Sequence, residues 1–199
     1  MVKPLTLTIP LLPEESRSLK AGDIVSLNGT IVTGRDRVHK YLAEQRPLKE
    51  DIPFDLTGAI LYHCGPVMKK TEEGYKVVAA GPTTSIRVEM YEATLIREYG
   101  IRGIIGKGGM GEGTLEALKE TGSVYFQTVG GAAAYLADRI KKTLNVWKLD
   151  EFGPTEAMWL FEVEDFPVIV TMDSHGKNIH REIESASFRK FMELIQQQM

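Results

Sequence analysis

An α/β fold of stacked sheet, sheet and helix layers is what this sequence predicts, and three observations carry the prediction. Short apolar runs alternate with helical periodicity between residues 58 and 144, the mark of a parallel sheet joined by crossovers. Strand-rich segments flank that region on both sides and supply further sheet. The 199 residues, 43% of them hydrophobic, are enough to bury one substantial core.

Residues 1–20 read as an extended N-terminal arm on a single 21–199 domain. Pro4, Pro10 and Pro13 oppose a helix there, and Leu5 to Leu12 is apolar. Asp23 to Gly29 alternates as a strand, Asn28-Gly29 signals a turn, and Thr30 to Thr33 reads as the returning strand. Asp36 can cap a helix that runs to about Arg46 and stops at Pro47. Gly58 to Tyr62 is a short buried strand, Lys69 to Gly74 a charged turn, and Tyr75 to Ala80 another strand. A helix follows from Ser85 to Tyr99, with Val88, Tyr91, Leu95 and Ile96 inward and Gly100 as its stop. Arg102 to Gly106 and Ser123 to Phe126 read as strands around a helix at Thr114 to Glu120. Gly131 to Leu144 reads as an Ala-rich helix. Two strands, Met158 to Val163 and Pro167 to Met172, precede a turn at Ser174 to Lys177 and a closing helix from Glu184 to Gln198.

Composition removes several function classes. A net charge of −3 leaves no general basic surface for nucleic acid, so any anion site is local. No run approaches ~18 apolar residues, so no membrane span is expected. The opening residues lack the apolar core of a secretion signal, and a cytoplasmic protein is expected. Cys64 is the single cysteine. It excludes an internal disulfide and cannot by itself ligate an iron–sulfur cluster.

The chemistry-bearing residues fall into three groups. Gly81-Pro-Thr-Thr-Ser-Ile-Arg87 places the hydroxyls of Thr83 and Thr84 and the Arg87 guanidinium at a helix start, where backbone N–H groups favour an anion. Its competing reading is a Thr84 or Ser85 cap with a solvated arginine. Lys107 lies between Gly106 and Gly108 after a short strand, at the strand end where α/β sheets gather ligands. There the glycines would let a ligand approach the backbone, although a solvated lysine on a turn fits too. Arg35 follows Gly34, with Asp36 and His39 three apart on a helix start and able to bond each other. Adjacent His63 and Cys64 do not define a nucleophilic pair, and a buried structural thiol is the simpler reading. Glu156 is a candidate buried carboxylate on a loop, while His175 and His180 make a poor metal signature.

Taken in order, these segments resemble one family. Residues 19–40, Gly81 to Arg87, Ile104 to Gly108, Gly130 to Tyr135 and Glu162 to Pro167 are similar to the beta subunit of class I, iron–sulfur-dependent fumarate hydratases and L-tartrate dehydratases. The likeness spans nearly the whole chain. It implies a three-layer swivelling β/β/α domain with a central parallel or mixed sheet. It implies a cluster-bearing alpha subunit as partner, with the [4Fe-4S] cluster on that partner and not on this chain. A C4-dicarboxylate would bind at the subunit junction, in a homodimer or an α2β2 assembly. Carried onto this sequence, Arg35, Arg87 and Lys107 are the substrate-binding cations and Thr83 is the hydroxyl at the reacting carbon. His63-Cys64 departs from the family pattern. The implied activity is reversible hydration of fumarate to L-malate; tartrate dehydration, mesaconate hydration and a non-catalytic dicarboxylate-binding subunit are the alternatives.

Overall fold

The computed structural model describes residues 3–196. Its centre is a seven-stranded mixed sheet of order β1-β2-β3-β6-β7-β9-β8. The strands are β1 (Leu5–Ile9), β2 (Ile24–Gly34), β3 (Ile60–His63), β6 (Gly103–Gly106), β7 (Val124–Gln127), β8 (Ile140–Trp147) and β9 (Met158–Met172). Strands β1, β2, β3, β6 and β7 are parallel neighbours, and β9 runs antiparallel to β2, β7 and β8. Because β9 pairs with β7 at one end and with β2 along most of its length, β2, β3, β6, β7 and β9 close into a ring. A separate hairpin, β4 (Val67–Thr71) and β5 (Gly74–Ala79), forms the second sheet.

Alternation along the strands divides the core in two. Ile31, Tyr62, Ile105, Phe126 and Trp159 face one cluster, with Met68, Tyr75 and Val77 of the hairpin and Leu136 of α5 (Ala133–Asp138). Their immediate neighbours Val32, Leu61, Ile104, Tyr125 and Met158 face the other. That second face is covered by α2 (Asp36–Gln45), α3 (Glu89–Tyr99) and α4 (Glu112–Thr121), with α3 between the other two. Burial on both faces explains why the central strands read as unbroken apolar runs. The layers are hairpin sheet, central sheet and helices, as the sequence predicts.

Several local expectations are corrected. Asn28-Gly29 makes no turn: β2 is one strand with a bulge there, Gly29 at φ +113°. A Cβ at Gly29 would lie 2.5 Å from the Ile9 carbonyl oxygen, so glycine admits β1 alongside. The two expected strands at 158–172 are likewise one, bent where Asp165 adopts φ +50°. Within the first 20 residues, β1 is extended but lies in the sheet. Pro13 opens a short helix, α1 (Pro13–Ser18), in the first turn, where the missing N–H costs nothing. Lys69–Thr71 belong to β4 rather than to a turn. The Ala-rich helix ends at Asp138, and residues 140–147 become β8. The segment 85–99 starts with a 3-10 turn at Ser85–Val88 before α3. A four-residue helix, α6 (Leu149–Phe152), precedes β9. The last helix, α7 (Ile179–Gln196), starts earlier than expected; residues 197 and 198 of the expected helix lie outside the described residues. None of the described helices is long and apolar enough to cross a membrane.

Candidate active site on the carboxyl edge of the parallel strands

Arg35, His63 and Lys107 sit at the carboxyl ends of three successive parallel neighbours. Arg35 follows β2, His63 ends β3, and Lys107 follows β6. The loop Gly81–Ser85 lies across these ends. Cys64 bridges to Pro82, and Thr84 bridges in parallel to Lys107. Thr83 donates through its backbone N–H (2.7 Å) and its Oγ1 (3.2 Å) to the His63 carbonyl. Since that carbonyl takes the hydroxyl proton, the Thr83 oxygen keeps its lone pairs for a ligand.

Asp36 links the two arginines. Its Oδ2 lies 2.6 Å from Arg87 Nη2 and 3.8 Å from Arg35 Nη2. The Arg87 side chain is 52% exposed, so this pair is worth about 0–1 kcal/mol and can be exchanged for another carboxylate. Arg35 is more enclosed. Its stem fills the space a Cβ on Gly65 would need, and its buried Nε has no hydrogen-bond partner, although Glu156 Oε1 is 3.4 Å away. The other Glu156 oxygen accepts the Arg37 N–H at 3.0 Å. Glu156 thus supplies the α2 N-terminus with the cap expected of Asp36, which is instead the first helical residue. The Lys107 stem passes Gly130, the loop after β7, and Lys107 has no acidic partner among the described residues.

Beneath this edge is a fully buried polar cluster that sequence reasoning missed. His39 of α2 does not bond Asp36. Its Nδ1 donates to the Arg35 carbonyl at 2.7 Å, and its Nε2 lies 3.1 Å from Glu92 Oε2. His63 Nε2 is 3.0 Å from the same oxygen, and its Nδ1 is 2.9 Å from Ser85 Oγ. Ser85 Oγ also meets Tyr125 Oη at 2.8 Å and receives the Lys107 N–H at 3.2 Å. Ser85 is therefore a buried hub rather than a helix cap. A signal for Glu92 existed: it shares the Val88, Leu95, Ile96, Tyr99 stripe, where an acid requires a partner.

Burial lowers the His63 pKa and favours the neutral ring, partly opposed by the Glu92 charge. Burial alone would raise the Glu92 carboxyl, but the two histidines outweigh it and hold the group well below the usual carboxylate range.

His39, His63 and Glu92 bring three ligand-type atoms together, which raises the question of a metal. A point equidistant from atoms 3.0, 3.1 and 3.2 Å apart is at least about 1.8 Å from each and, raised about 1 Å out of their plane, meets the ~2.0–2.1 Å of a zinc–nitrogen bond, so the spacing admits an ion as well as hydrogen bonds. The same spacings are those of N–H···O hydrogen bonds. An iron–sulfur cluster does not fit this chain. Burial pushes the Cys64 thiol up to about 12, and a single protonated thiol is not a cluster ligand set.

A cavity of about 750 Å³ between the β4–β5 hairpin and β8 contains none of these residues. The candidate site is an open edge, with Arg35 one-quarter exposed and Arg87 about half.

Fold and site together define an α/β domain whose carboxyl strand edge gathers two guanidiniums, an ammonium and a hydroxyl. The chain belongs to the fumarase C-terminal family, whose model, described as "Fumarase C-terminus", matches residues 2–183. It is 53% identical over 187 residues to a putative class I fumarate hydratase of Geobacillus stearothermophilus, with 94% of this chain and 35% of that protein covered. It is 44% identical over 186 residues to a putative L(+)-tartrate dehydratase subunit beta of Methanocaldococcus jannaschii, with 93% and 95% covered. The L(+)-tartrate dehydratase subunit beta of Escherichia coli K12 is 37% identical over 175 residues, with 87% and 85% covered. The chain thus spans about a third of the Geobacillus protein but nearly the whole of the separate beta subunits.

Proposed function

We propose that this chain is the beta subunit of a cytoplasmic two-subunit hydro-lyase that hydrates fumarate reversibly to L-malate. The observation that carries the proposal is the shared strand edge of Arg35, Thr83, Arg87 and Lys107. A C4-dicarboxylate has two anionic ends, and this edge offers three cations around one hydroxyl. In the dehydration direction, a proton leaves the carbon beside one carboxylate and hydroxide leaves the next carbon. Charge then builds on that carboxylate, and Arg35, Arg87 and Lys107 stabilise it. Thr83 takes the carbon-bound proton as an alkoxide that the surrounding cations stabilise, or passes its own hydroxyl proton on as it accepts the new one, since a neutral threonine hydroxyl is not itself a base. The leaving hydroxide falls to the partner's side, together with the [4Fe-4S] cluster that this chain cannot hold. The exposed edge is completed when the alpha subunit closes over it. The first 20 residues, with Leu5 and Leu12 about half exposed, belong to a subunit interface.

Tartrate dehydration is the second reading, favoured by the near-complete coverage of the two tartrate dehydratase beta subunits. Anaerobic reconstitution with a cysteine-rich companion chain, followed by parallel assays of fumarate, mesaconate and tartrate, decides between them. The isolated chain is expected to be inactive, and robust turnover by it alone would overturn the two-subunit reading. A companion without a cluster, binding dicarboxylate without turnover, would point to a non-catalytic subunit.

A further inference from the structure

The buried cluster touches the backbone of each proposed site segment. His39 holds the Arg35 carbonyl. The His63 carbonyl holds Thr83 twice, and the His63 ring holds Ser85. Ser85 in turn holds the backbone N–H of Lys107. All of this converges on one carboxylate, Glu92 Oε2, which bridges α3 to α2 and β3.

Hydrogen-bond accounting fixes the protons. The Arg35 carbonyl only accepts, so His39 Nδ1 carries a proton. Ionised Glu92 also only accepts, so both facing Nε2 atoms carry protons toward its Oε2, and their own 3.2 Å approach is a contact of two donors sharing one acceptor rather than a hydrogen bond. His39 is then an imidazolium. His63 is neutral, with Nδ1 accepting from the Ser85 hydroxyl. Ser85 Oγ receives the Lys107 N–H and the Tyr125 O–H. One positive and one negative charge remain, so the buried chain is neutral overall. The groups facing His39 are Glu92 from α3 and His63 from β3, while Asp36 and Arg35 lie on its own helix start.

The glycines before the two cations belong to this arrangement. A Cβ on Gly106 would overlap Ser85 Oγ, and one on Gly34 would lie 3.2 Å from His39 Cε1. Gly106 of the Gly-Lys pair therefore makes room for the network behind the backbone, while Gly34 of the Gly-Arg pair makes room for Leu61, 3.0 Å away, as well as for His39.

We propose that the Glu92–His39–His63–Ser85 chain is the positioning device of the site. In one protonation state, with His39 as the imidazolium, it fixes Arg35, the Thr83 turn and Lys107 relative to one another. Its catalytic consequence rests on the hydro-lyase reading; its protonation state does not.

The test has two arms. Nitrogen-15 imidazole spectra of the folded chain at pH 7 are expected to show His39 with both ring nitrogens protonated and His63 with Nε2–H only, distinct from exposed His175. Glu92→Gln should abolish the imidazolium signature. A neutral His39 in the wild-type chain, or one divalent metal ion per chain bound by these side chains, would overturn the proposal. In the assembled enzyme, Ser85→Ala and Glu92→Gln are expected to lower kcat about 10- to 100-fold through misplacement of the reacting groups, and to raise KM. Wild-type kcat and KM in both variants would refute positioning. If the wild-type complex shows no hydro-lyase activity, the functional reading fails and the spectra still decide the network.

Discussion

Gly106→Ala isolates the steric demand of the buried network. Gly106 ends β6 with ordinary extended backbone, so alanine meets no conformational barrier and would gain about 0.4–1 kcal/mol through the unfolded chain. Against this, the new methyl overlaps Ser85 Oγ and lies 2.8 Å from Tyr125 Oη and 3.2 Å from His63 Nδ1. Overpacking of this kind costs about 1–3 kcal/mol. Displacing Ser85 also leaves buried partners unpaired, at about 1–3 kcal/mol for each orphaned group. With one group orphaned the expected loss is therefore roughly 2–6 kcal/mol, beyond the entropic gain. Urea unfolding of the single variants and of Ser85→Ala/Gly106→Ala measures it. Removing the hydroxyl relieves the overlap, so the double variant should be at least about 1.5 kcal/mol more stable than additivity requires. A Gly106→Ala chain within about 0.5 kcal/mol of wild type, or additive behaviour, would refute the reasoning.

Lys107→Ala should abolish turnover in the assembled enzyme yet change unfolding stability by less than about 0.5–1 kcal/mol, because among the described residues the ammonium has no acidic partner to lose; retained turnover would remove its role. Thr83→Val should eliminate turnover while dicarboxylate binding, measured calorimetrically on the complex, persists; a variant that keeps most of its kcat demands another base. Acid should weaken the fold in two stages. His63 has a folded pKa below its unfolded 6.5, so the unfolded chain binds more protons and stability declines as pH drops below about 6.5. Glu92, depressed from 4.5, adds a further loss as pH falls through 4.5 toward its folded value. A denaturation midpoint unchanged between about pH 7 and pH 5 would contradict the first sign, and one unchanged as pH falls from 4.5 to about 2 would contradict the second. The Cys64 thiol, pushed up to about 12 by burial, should resist alkylation at pH 8 in the folded chain and react once urea unfolds it.

The parallel centre was legible because each of its elements satisfies its own period. Ile104 and Ile105 or Leu61 and Tyr62 read as buried strand, and Gly100 and Gly122 stop their helices in left-handed geometry. Long-range pairing was not legible. Asn28-Gly29 carries a hairpin signal locally, but β1, β3 and β9 engage β2 and hold it as one bulged strand. Pro167 suggested a fresh strand start, whereas its strand runs through it, paired with Ser26 of β2. At the site, the placement of Arg35 and Lys107 after strands was readable from Gly34 and Gly106, but the purpose of those glycines was not, since Ser85 and His39 approach them only in three dimensions. Glu92 stood in plain view on an apolar helix stripe, and its partners lie 53 and 29 residues away.

The strand ring imposes an order of events on the growing chain. Strand β2 is made early, yet its partner β9 emerges on the order of 140 residues later, a non-local contact of the kind that slows folding. Until then β2 presents an unpaired backbone flank on a ribbon that carries Ile24, Val25, Leu27, Ile31 and Val32, a template for association between nascent copies. Truncation before Leu160 leaves that flank wholly open, so incomplete products of this gene should be aggregation-prone rather than partly functional.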